Sequence, residues 1–163
     1  MADKNSQVKF IFLIRNPIEV INSWVSVKKE FSPEWNISEE LINAYKKNMG
    51  KKENYFGVEG WIKSTQIFEN LKHKYPKRIL LLNYRDLKNN SFVTTKKIFD
   101  FCDLELCKQT EDFLIKSTKT QYFANDFSVF RGQGYSIKSF LDYEQINLIK
   151  NSVSNQNLSK YLS

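Results

Sequence analysis

The chain has 163 residues and a mass of 19.3 kDa, which is the size of one domain. Since 41% of its residues are hydrophobic, a chain that is disordered as a whole is excluded. Its two cysteines and single histidine match no metal-ligand spacing, so a disulfide scaffold and a zinc fold are excluded. The net charge of +7 comes mainly from scattered lysines, which are typical of a solvated surface and make a nucleic-acid interface the less favoured interpretation.

The first predicted element is a strand from Val8 to Ile14, a nearly continuous apolar run rich in branched and aromatic residues. Such a run is typical of a strand buried on both faces, as in a parallel sheet. A helix from Ile18 to about Lys29 is predicted to follow it. Asn16 can cap this helix, Pro17 suits its first position, and Glu19 completes the spacing of a capping box.

The rest of the chain is predicted to contain five more helices and a second buried strand. The predicted ranges are Ser38–Met49, Glu59–Tyr75, Phe92–Cys102, Gln109–Ser117 and Tyr143–Val153 for the helices and Ile79–Tyr84 for the strand. This order predicts the α/β class with a parallel sheet. Two strands are too few for so many helices, so we expect either a hidden third strand or a chain that lacks part of its domain.

Two polar residues follow the first strand at positions that suit an anion. Ligands of open α/β sheets bind beyond the carboxyl ends of the strands, where Arg15 lies, and Ser23 is placed two turns into the next helix. A guanidinium and a hydroxyl are natural partners of a phosphate. Glu19 in the first turn would repel an anion on the helix axis, so we expect the phosphate to one side. The alternative is that Arg15 forms a surface ion pair and that the helix merely tolerates Ser23.

The segment from Phe10 to Ser23, FIFLIRNPIEVINS, resembles the 3′-phosphate-binding segment of the sulfotransferases. In that family a hydrophobic strand is followed by Arg-(Asn/Asp)-Pro and, eight residues after the Arg, by Ser. The resemblance implies that Arg15 and Ser23 bind the 3′-phosphate of 3′-phosphoadenosine 5′-phosphosulfate, or of its desulfated product.

Two later segments resemble the same family in the expected order. ILLLNYRDL, from Ile79 to Leu87, resembles the family strand that ends in Tyr-Glu-Asp-Leu, which implies that Tyr84 contacts the adenine. FRGQGYSIK, from Phe130 to Lys138, resembles the late loop Arg-(Lys)-Gly-x-x-Gly-x-Trp-Lys. It implies that Arg131 is a second phosphate cation and that Gly132 lets the backbone approach the ligand, whereas the alternative is a turn with a solvated arginine.

The resemblance implies a three-layer α/β/α, P-loop-like fold with a parallel sheet, and a single sulfotransferase-like domain over residues 1–163. It also implies transfer of a sulfuryl group from 3′-phosphoadenosine 5′-phosphosulfate to an acceptor hydroxyl or amine. No segment resembles the family's N-terminal strand, phosphosulfate-binding loop and helix, so we expect an incomplete domain, its C-terminal portion. The catalytic residue is not assigned, no metal is expected, and His73, late in a lysine-rich helix, is not expected to act as a base.

Other functions and partners remain open at this point. The main alternative is a catalytically inactive module that binds adenosine 3′,5′-bisphosphate, and a basic nucleic-acid-binding protein is less favoured. The expected partners are a small-molecule or carbohydrate acceptor and, for an incomplete domain, a missing N-terminal segment or a second copy.

The longest apolar run, Phe10 to Ile14, is far shorter than the roughly 20 residues of a membrane span, and no secretory segment follows Met1, which favours a cytoplasmic location.

Overall fold

The computed structural model of the chain describes residues 8–51, 53–119 and 138–162. These residues form two strands, eight α-helices and one 3₁₀ turn. In chain order the elements are β1 (Phe10–Ile14), α1 (Pro17–Ser26), α2 (Ile37–Glu40), α3 (Tyr45–Asn48), α4 (Gly57–Lys74), β2 (Ile79–Asn83), α5 (Tyr84–Asn89), α6 (Ser91–Phe101), α7 (Lys108–Lys119), α8 (Tyr143–Ser154) and the 3₁₀ turn Ser159–Tyr161. The predicted α/β class is therefore confirmed, while the three-layer, P-loop-like arrangement stays a prediction.

The chain divides into two compact units. The first unit comprises Met1–Ile14 and Asn70–Ser136, and it contains β1, β2 and α5 to α7. The second unit comprises Arg15–Glu69 and Ile137–Ser163, and it contains α1 to α3, α8 and most of α4. The assignment of residues 1–163 to a single domain stays a prediction.

The sheet of the first unit consists, within the described residues, of β1 and β2 paired in parallel. The register runs from Phe10 opposite Ile79 to Ile14 opposite Asn83, so the two strands end level with each other. The Phe10 and Phe12 rings stack on one face of β1, with 6.2 Å between their centroids. The parallel pairing that the two apolar runs predict is confirmed.

The opposite face of β1 is more exposed than its sequence predicts. Ile11 and Leu13 expose 39% and 43% of their surface, whereas Leu80 and Leu82, their partners on β2, are buried. Within the described residues β1 pairs only with β2, and the residues around this face cover Ile11 and Leu13 only in part. The prediction that the first strand is buried on both faces is therefore wrong.

The second strand ends one residue earlier than predicted, because a short helix starts at Tyr84. The Asn83 side chain accepts a hydrogen bond from the Arg85 amide, 2.9 Å away, and so caps α5. Asn is among the best N-cap residues, since its side-chain oxygen satisfies an amide that has no partner within the helix. Tyr84 is thus the first residue of a helix and not the last residue of a strand.

Helix α1 begins as predicted and ends three residues early. The Asn16 side-chain oxygen accepts a hydrogen bond from the Ile18 amide at 2.9 Å, and Pro17 occupies the first helical position. The helix ends at Ser26 because Val27 adopts an extended conformation. The local capping residues therefore fix where α1 starts, but nothing as specific marks its end.

Trp24 anchors α1 through aromatic packing within the second unit. Its buried ring meets the edge of Phe31 at a centroid distance of 5.1 Å and lies 5.7 Å from the Phe56 ring. The indole N–H donates to the Glu30 carbonyl at 3.3 Å. Aromatic pairs of this kind add to the free energy gained from burial alone, so α1 is held firmly on this side.

The single helix predicted over residues 38–49 is instead two short helices, α2 and α3. Ala44 separates them in the left-handed conformation, at φ 47°. The Leu41 carbonyl accepts a hydrogen bond from the Val58 amide at the start of α4, 3.0 Å away, and not from a residue four positions ahead. A contact with a distant segment thus replaces the local helical bond, and the prediction of one continuous helix is wrong.

Two glycines let the chain pack closely around the start of α4. Gly57 has φ 80°, and a Cβ atom there would lie 2.5 Å from the Ile42 carbonyl oxygen. A Cβ atom on Gly60 would lie 2.3 Å from the Tyr55 carbonyl carbon. Because both neighbours are backbone atoms, which cannot move aside as a side chain can, these positions require glycine.

Helix α8 confirms its predicted start. The Asp142 side chain accepts from the Gln145 amide at 2.8 Å, and the Gln145 side chain accepts from the Asp142 amide at 3.0 Å. This reciprocal pair is a complete capping box. Ile149 and Val153 then lie one turn apart and are fully buried.

Residues 8–51, 53–119 and 138–162 contain neither a membrane-spanning helix nor a cluster of metal ligands. None of the helices in these ranges has the length and apolar composition needed to cross a membrane. Nor do these ranges bring together three His, Cys, Asp or Glu side chains that could hold a metal ion.

Candidate functional site

Arg15 occupies the junction between β1 and α1 and is held at two points. Its carbonyl oxygen accepts a hydrogen bond from the Trp61 indole at 3.0 Å. Its Nε donates to a carboxylate oxygen of Glu19 at 2.8 Å. The Arg15 side chain is 30% exposed, so the guanidinium lies at the surface of the second unit. The contact with Glu19 is the surface ion pair that the alternative interpretation of Arg15 predicts.

Ser23 lies on α1 on the same side as Glu19. Residues four positions apart on a helix are neighbours, with about 5–6 Å between their Cβ atoms. Ser23 is half-buried, and its hydroxyl has no hydrogen-bond partner among the residues that the structure describes, although its carbonyl accepts from the Ser26 hydroxyl at 2.7 Å. Because Glu19 pairs with Arg15, the capping box predicted from Glu19 is not formed.

The Glu19 carboxylate therefore stands between the two predicted phosphate ligands. It contacts Arg15 directly and is placed one helical turn before Ser23. A carboxylate that binds a guanidinium uses the same charge-assisted hydrogen bonds as a phosphate. A phosphate that binds both Arg15 and Ser23 must consequently share the guanidinium with Glu19 or displace it.

Asn16 fixes the turn that follows Arg15 with both ends of its side-chain amide. The oxygen caps α1, and the nitrogen donates to the Leu162 carbonyl at 2.9 Å. The contact with Leu162 joins residues 146 positions apart in the chain. The residues next to Asn16 predict its capping role, whereas no local pattern indicates this long-range partner.

Asn22, the residue before Ser23, binds the segment that enters α8. Its side-chain nitrogen donates to the Lys138 carbonyl at 3.1 Å, and its oxygen accepts from the Phe140 amide at 2.7 Å. Leu141 follows and is buried. The sequence does not indicate a role for Asn22, because an asparagine in the middle of a helix gives no indication of which distant backbone it contacts.

The remaining predicted ligands are Tyr84, Arg131 and Gly132. Tyr84 belongs to the first unit, where it is half-buried at the start of α5. Arg131 and Gly132 lie outside the described residues. The assignment of these three residues to the cofactor stays a prediction.

His73 is exposed in the last turn of α4, beside Lys72 and Lys74. Lys72 donates to the carbonyls of Pro76 and Ile79, at 2.8 and 2.7 Å, and so links the end of α4 to the turn before β2 and to β2 itself. No catalytic base is assigned.

Tyr161, which packs against the Trp61 ring, belongs to a polar network in the second unit. The Tyr161 hydroxyl donates to Glu69 at 2.7 Å, and Lys160 forms an ion pair with the same carboxylate. Burial raises the pKa of Glu69, but the hydrogen bonds from Lys160 and Tyr161 outweigh it and lower the pKa below its usual value. Burial, and then the hydrogen bond to Glu69, raise the pKa of Tyr161. Glu69 is therefore ionised and Tyr161 protonated at neutral pH.

A cavity of about 240 Å³ opens elsewhere in the second unit. Its lining includes Asn43, Asn54, Tyr55, Glu59 and Lys63, and it includes none of the predicted site residues. The amide, aromatic and charged side chains around it give it a mixed polar character.

Comparison with known proteins identifies the family. The model of the sulfotransferase domain family matches residues 2–161. No curated protein and no solved structure matches the chain. Since the family match spans nearly the whole sequence, including the Arg15-Asn16-Pro17 turn and Ser23, the chain belongs to the sulfotransferase domain family.

Proposed function

We propose that the chain takes part in the transfer of a sulfuryl group from 3′-phosphoadenosine 5′-phosphosulfate to an acceptor hydroxyl or amine, and that it supplies the 3′-phosphate and adenine side of the site. Membership of the sulfotransferase domain family supports the reaction class. In this proposal Arg15 and Ser23 bind the 3′-phosphate, Arg131 and Gly132 close on the same group, and Tyr84 contacts the adenine.

The observation that carries the proposal is the way Arg15 is held. Its carbonyl is fixed by Trp61, and its guanidinium lies along α1 on the side that carries Ser23. A cation on a fixed backbone binds an anion with a smaller loss of conformational entropy than a cation on a flexible loop. Arginine also suits phosphate because its planar group can donate two parallel hydrogen bonds.

The donor, when bound, supplies the activated sulfuryl group, and the residues proposed here bind and orient it. The Arg15 guanidinium and the Ser23 hydroxyl match an anionic phosphate in charge and in donor type. Glu19 has to give up part of its contact with Arg15 when the phosphate arrives. The acceptor is proposed to be a small molecule or a carbohydrate, and a cytoplasmic location stays part of the proposal.

The test is a comparison of two nucleotides that differ by one phosphate. Adenosine 3′,5′-bisphosphate should bind the chain more tightly than adenosine 5′-monophosphate in isothermal titration calorimetry. Arg15→Ala should weaken bisphosphate binding by about 1.5–3 kcal/mol, the value of a hydrogen bond to a charged group, which is roughly a ten- to hundredfold loss. Ser23→Ala removes a neutral donor to the same charged phosphate and should cost about 1.5 kcal/mol, the lower end of that range, because only one partner of this bond is charged.

The matched control is Lys150→Ala, which removes one positive charge from the exposed side of α8. It should leave the preference for the bisphosphate intact, because a specific pocket depends on the residues that line it and not on the net charge of the chain. Equal affinity for both nucleotides, or no binding of either at millimolar concentration, would contradict the proposal. Specific binding without sulfate transfer to any acceptor would favour the inactive binding module over the enzyme.

A further inference from the structure

The backbone around Arg15 is bound from two directions by residues distant in the sequence. The Trp61 indole donates to the Arg15 carbonyl at 3.0 Å, and the Asn16 side chain donates to the Leu162 carbonyl at 2.9 Å. Both contacts lie within the second unit. The peptide group between Arg15 and Asn16 is therefore tied to α4 through the Arg15 carbonyl, and the Asn16 side chain is tied to the segment at residues 158–162.

Trp61 is itself held in place. It is 8% exposed, and its ring meets the edge of Tyr161 at a centroid distance of 6.0 Å and an interplanar angle of 76°. The Tyr161 hydroxyl donates to Glu69, one of the last α4 residues in this unit. Trp61 and Glu69 lie on the same helix, so Tyr161 contacts α4 both through its ring and through its hydroxyl. The Tyr161 ring in turn restricts the orientation of the Trp61 indole.

The geometry of this contact makes Trp61 more than a core residue. An indole has one N–H group and no acceptor, so its only hydrogen bond here is the one to the Arg15 carbonyl. That bond fixes the peptide plane after Arg15 and with it the direction in which the Arg15 side chain leaves the backbone. A phenylalanine would fill most of the same space but would remove this hydrogen bond, and so would hold the Arg15 carbonyl less firmly.

We infer that Trp61 is a positioning residue for Arg15, and that Tyr161 and Glu69 keep its indole N–H aimed at the Arg15 carbonyl. The inference rests on the proposed binding of the 3′-phosphate by Arg15. Its physical basis is preorganisation: a guanidinium whose backbone is already fixed binds phosphate without the cost of ordering that backbone. The 3′-phosphate preference of the chain thus depends on a tryptophan that does not touch the phosphate.

The test measures the ratio of the affinities for adenosine 3′,5′-bisphosphate and adenosine 5′-monophosphate. Trp61→Phe should lower this ratio about five- to tenfold through weaker bisphosphate binding, with the monophosphate affinity unchanged. Tyr161→Phe, which removes the hydroxyl and keeps the ring against Trp61, should lower it about two- to threefold. The control is Trp35→Phe, since Trp35 also packs edge-on against an aromatic ring, that of Phe31 at 5.5 Å, but makes no hydrogen bond through its indole to any described residue.

The ratio separates positioning from general destabilisation. If Trp61 has only a structural role, Trp61→Phe would reduce the folded fraction and weaken the binding of both nucleotides equally. The ratio of the two affinities would then stay at the wild-type value. If Trp61→Phe does not fold, Tyr161→Phe and Glu69→Gln carry the test, and an unchanged ratio in both would overturn the inference.

Failure of this inference is distinguishable from failure of the proposed function. If the wild-type chain does not prefer the bisphosphate, the phosphate role of Arg15 is wrong and the positioning role falls with it. If the wild-type preference exists and Arg15→Ala removes it, but Trp61→Phe keeps it, the proposed function stands and the positioning role of Trp61 is wrong.

Discussion

Replacing Asn22 should loosen the segment that leads into α8, because one side-chain amide holds two of its backbone groups. Asn22 donates to the Lys138 carbonyl at 3.1 Å and accepts from the Phe140 amide at 2.7 Å. Each bond contributes about 0.5–1.5 kcal/mol net, and because these groups are exposed and can turn to water we take the lower part of that range. Asn22→Ala should therefore lose about 1–2 kcal/mol of hydrogen bonding.

The measured free energy of unfolding will change by less than this, because alanine favours a helix over asparagine by about 0.6 kcal/mol. Asn151→Ala gives that gain alone, since Asn151 is exposed on α8 and its side chain makes no hydrogen bond to another described residue. Relative to Asn151→Ala, urea denaturation should show Asn22→Ala less stable by about 1–2 kcal/mol. Asn22→Asp separates the two bonds, because aspartate can still accept from Phe140 but cannot donate to Lys138, so its loss should be smaller.

Native-state hydrogen exchange at the Phe140 amide gives the local measurement. If Asn22 protects this amide, Asn22→Ala should accelerate its exchange about five- to thirtyfold, while Asn22→Asp keeps it slow. Unchanged Phe140 exchange in Asn22→Ala would refute the reasoning, since the segment would then be held by the buried Leu141 and not by Asn22. The contact matters for the site because the segment directly follows the residues that include the predicted ligands Arg131 and Gly132.

Two further predictions concern charge and pH. Glu19→Gln should tighten the binding of adenosine 3′,5′-bisphosphate a few-fold at low salt, because the carboxylate that competes for Arg15 is removed. Calorimetry at two salt concentrations checks this prediction. A loss of affinity would mean that Glu19 orients Arg15 for the ligand. Burial and the hydrogen bond to Glu69 raise the pKa of Tyr161, so its contribution to stability is fully present below about pH 10, the value of an unfolded tyrosine, and is lost as the pH rises toward the folded-state pKa. The free energy of unfolding should therefore fall less steeply above pH 10 in Tyr161→Phe than in the wild-type chain. Equal slopes would argue against the raised pKa of Tyr161.

The parts of the fold that the sequence predicts well are those set by neighbouring residues. Asn16 before Pro17 predicts the start of α1, and Asp142 with Gln145 predicts the capping box of α8, because in each case the stabilising hydrogen bonds close within three residues. Asn83 carries the same kind of local information for α5, but the apolar strand before it extends the predicted strand one residue too far, to Tyr84.

The parts that the sequence does not predict depend on distant contacts. The break at Ala44 follows from a hydrogen bond between Leu41 and Val58, and no local pattern indicates which carbonyl a distant amide will use. For the candidate site, the family motif supplies Arg15 and Ser23, but neither its spacing nor its composition shows that Trp61 holds the backbone of Arg15. An aromatic residue on an amphipathic helix predicts burial and gives no information about the partner of its N–H group.

The pairing of β1 with β2 also has a consequence during protein synthesis. Phe10 lies opposite Ile79, so β1 leaves the ribosome roughly 70 residues before its partner exists, a delay of about 3–15 s at ordinary rates of translation. Throughout that interval the FIFLI segment is an apolar strand with both edges open, available to chaperones or to the same segment of another nascent chain. A slowed ribosome between the two strands would lengthen this exposure, so the yield of folded protein should depend on the speed at which residues 15–78 are translated.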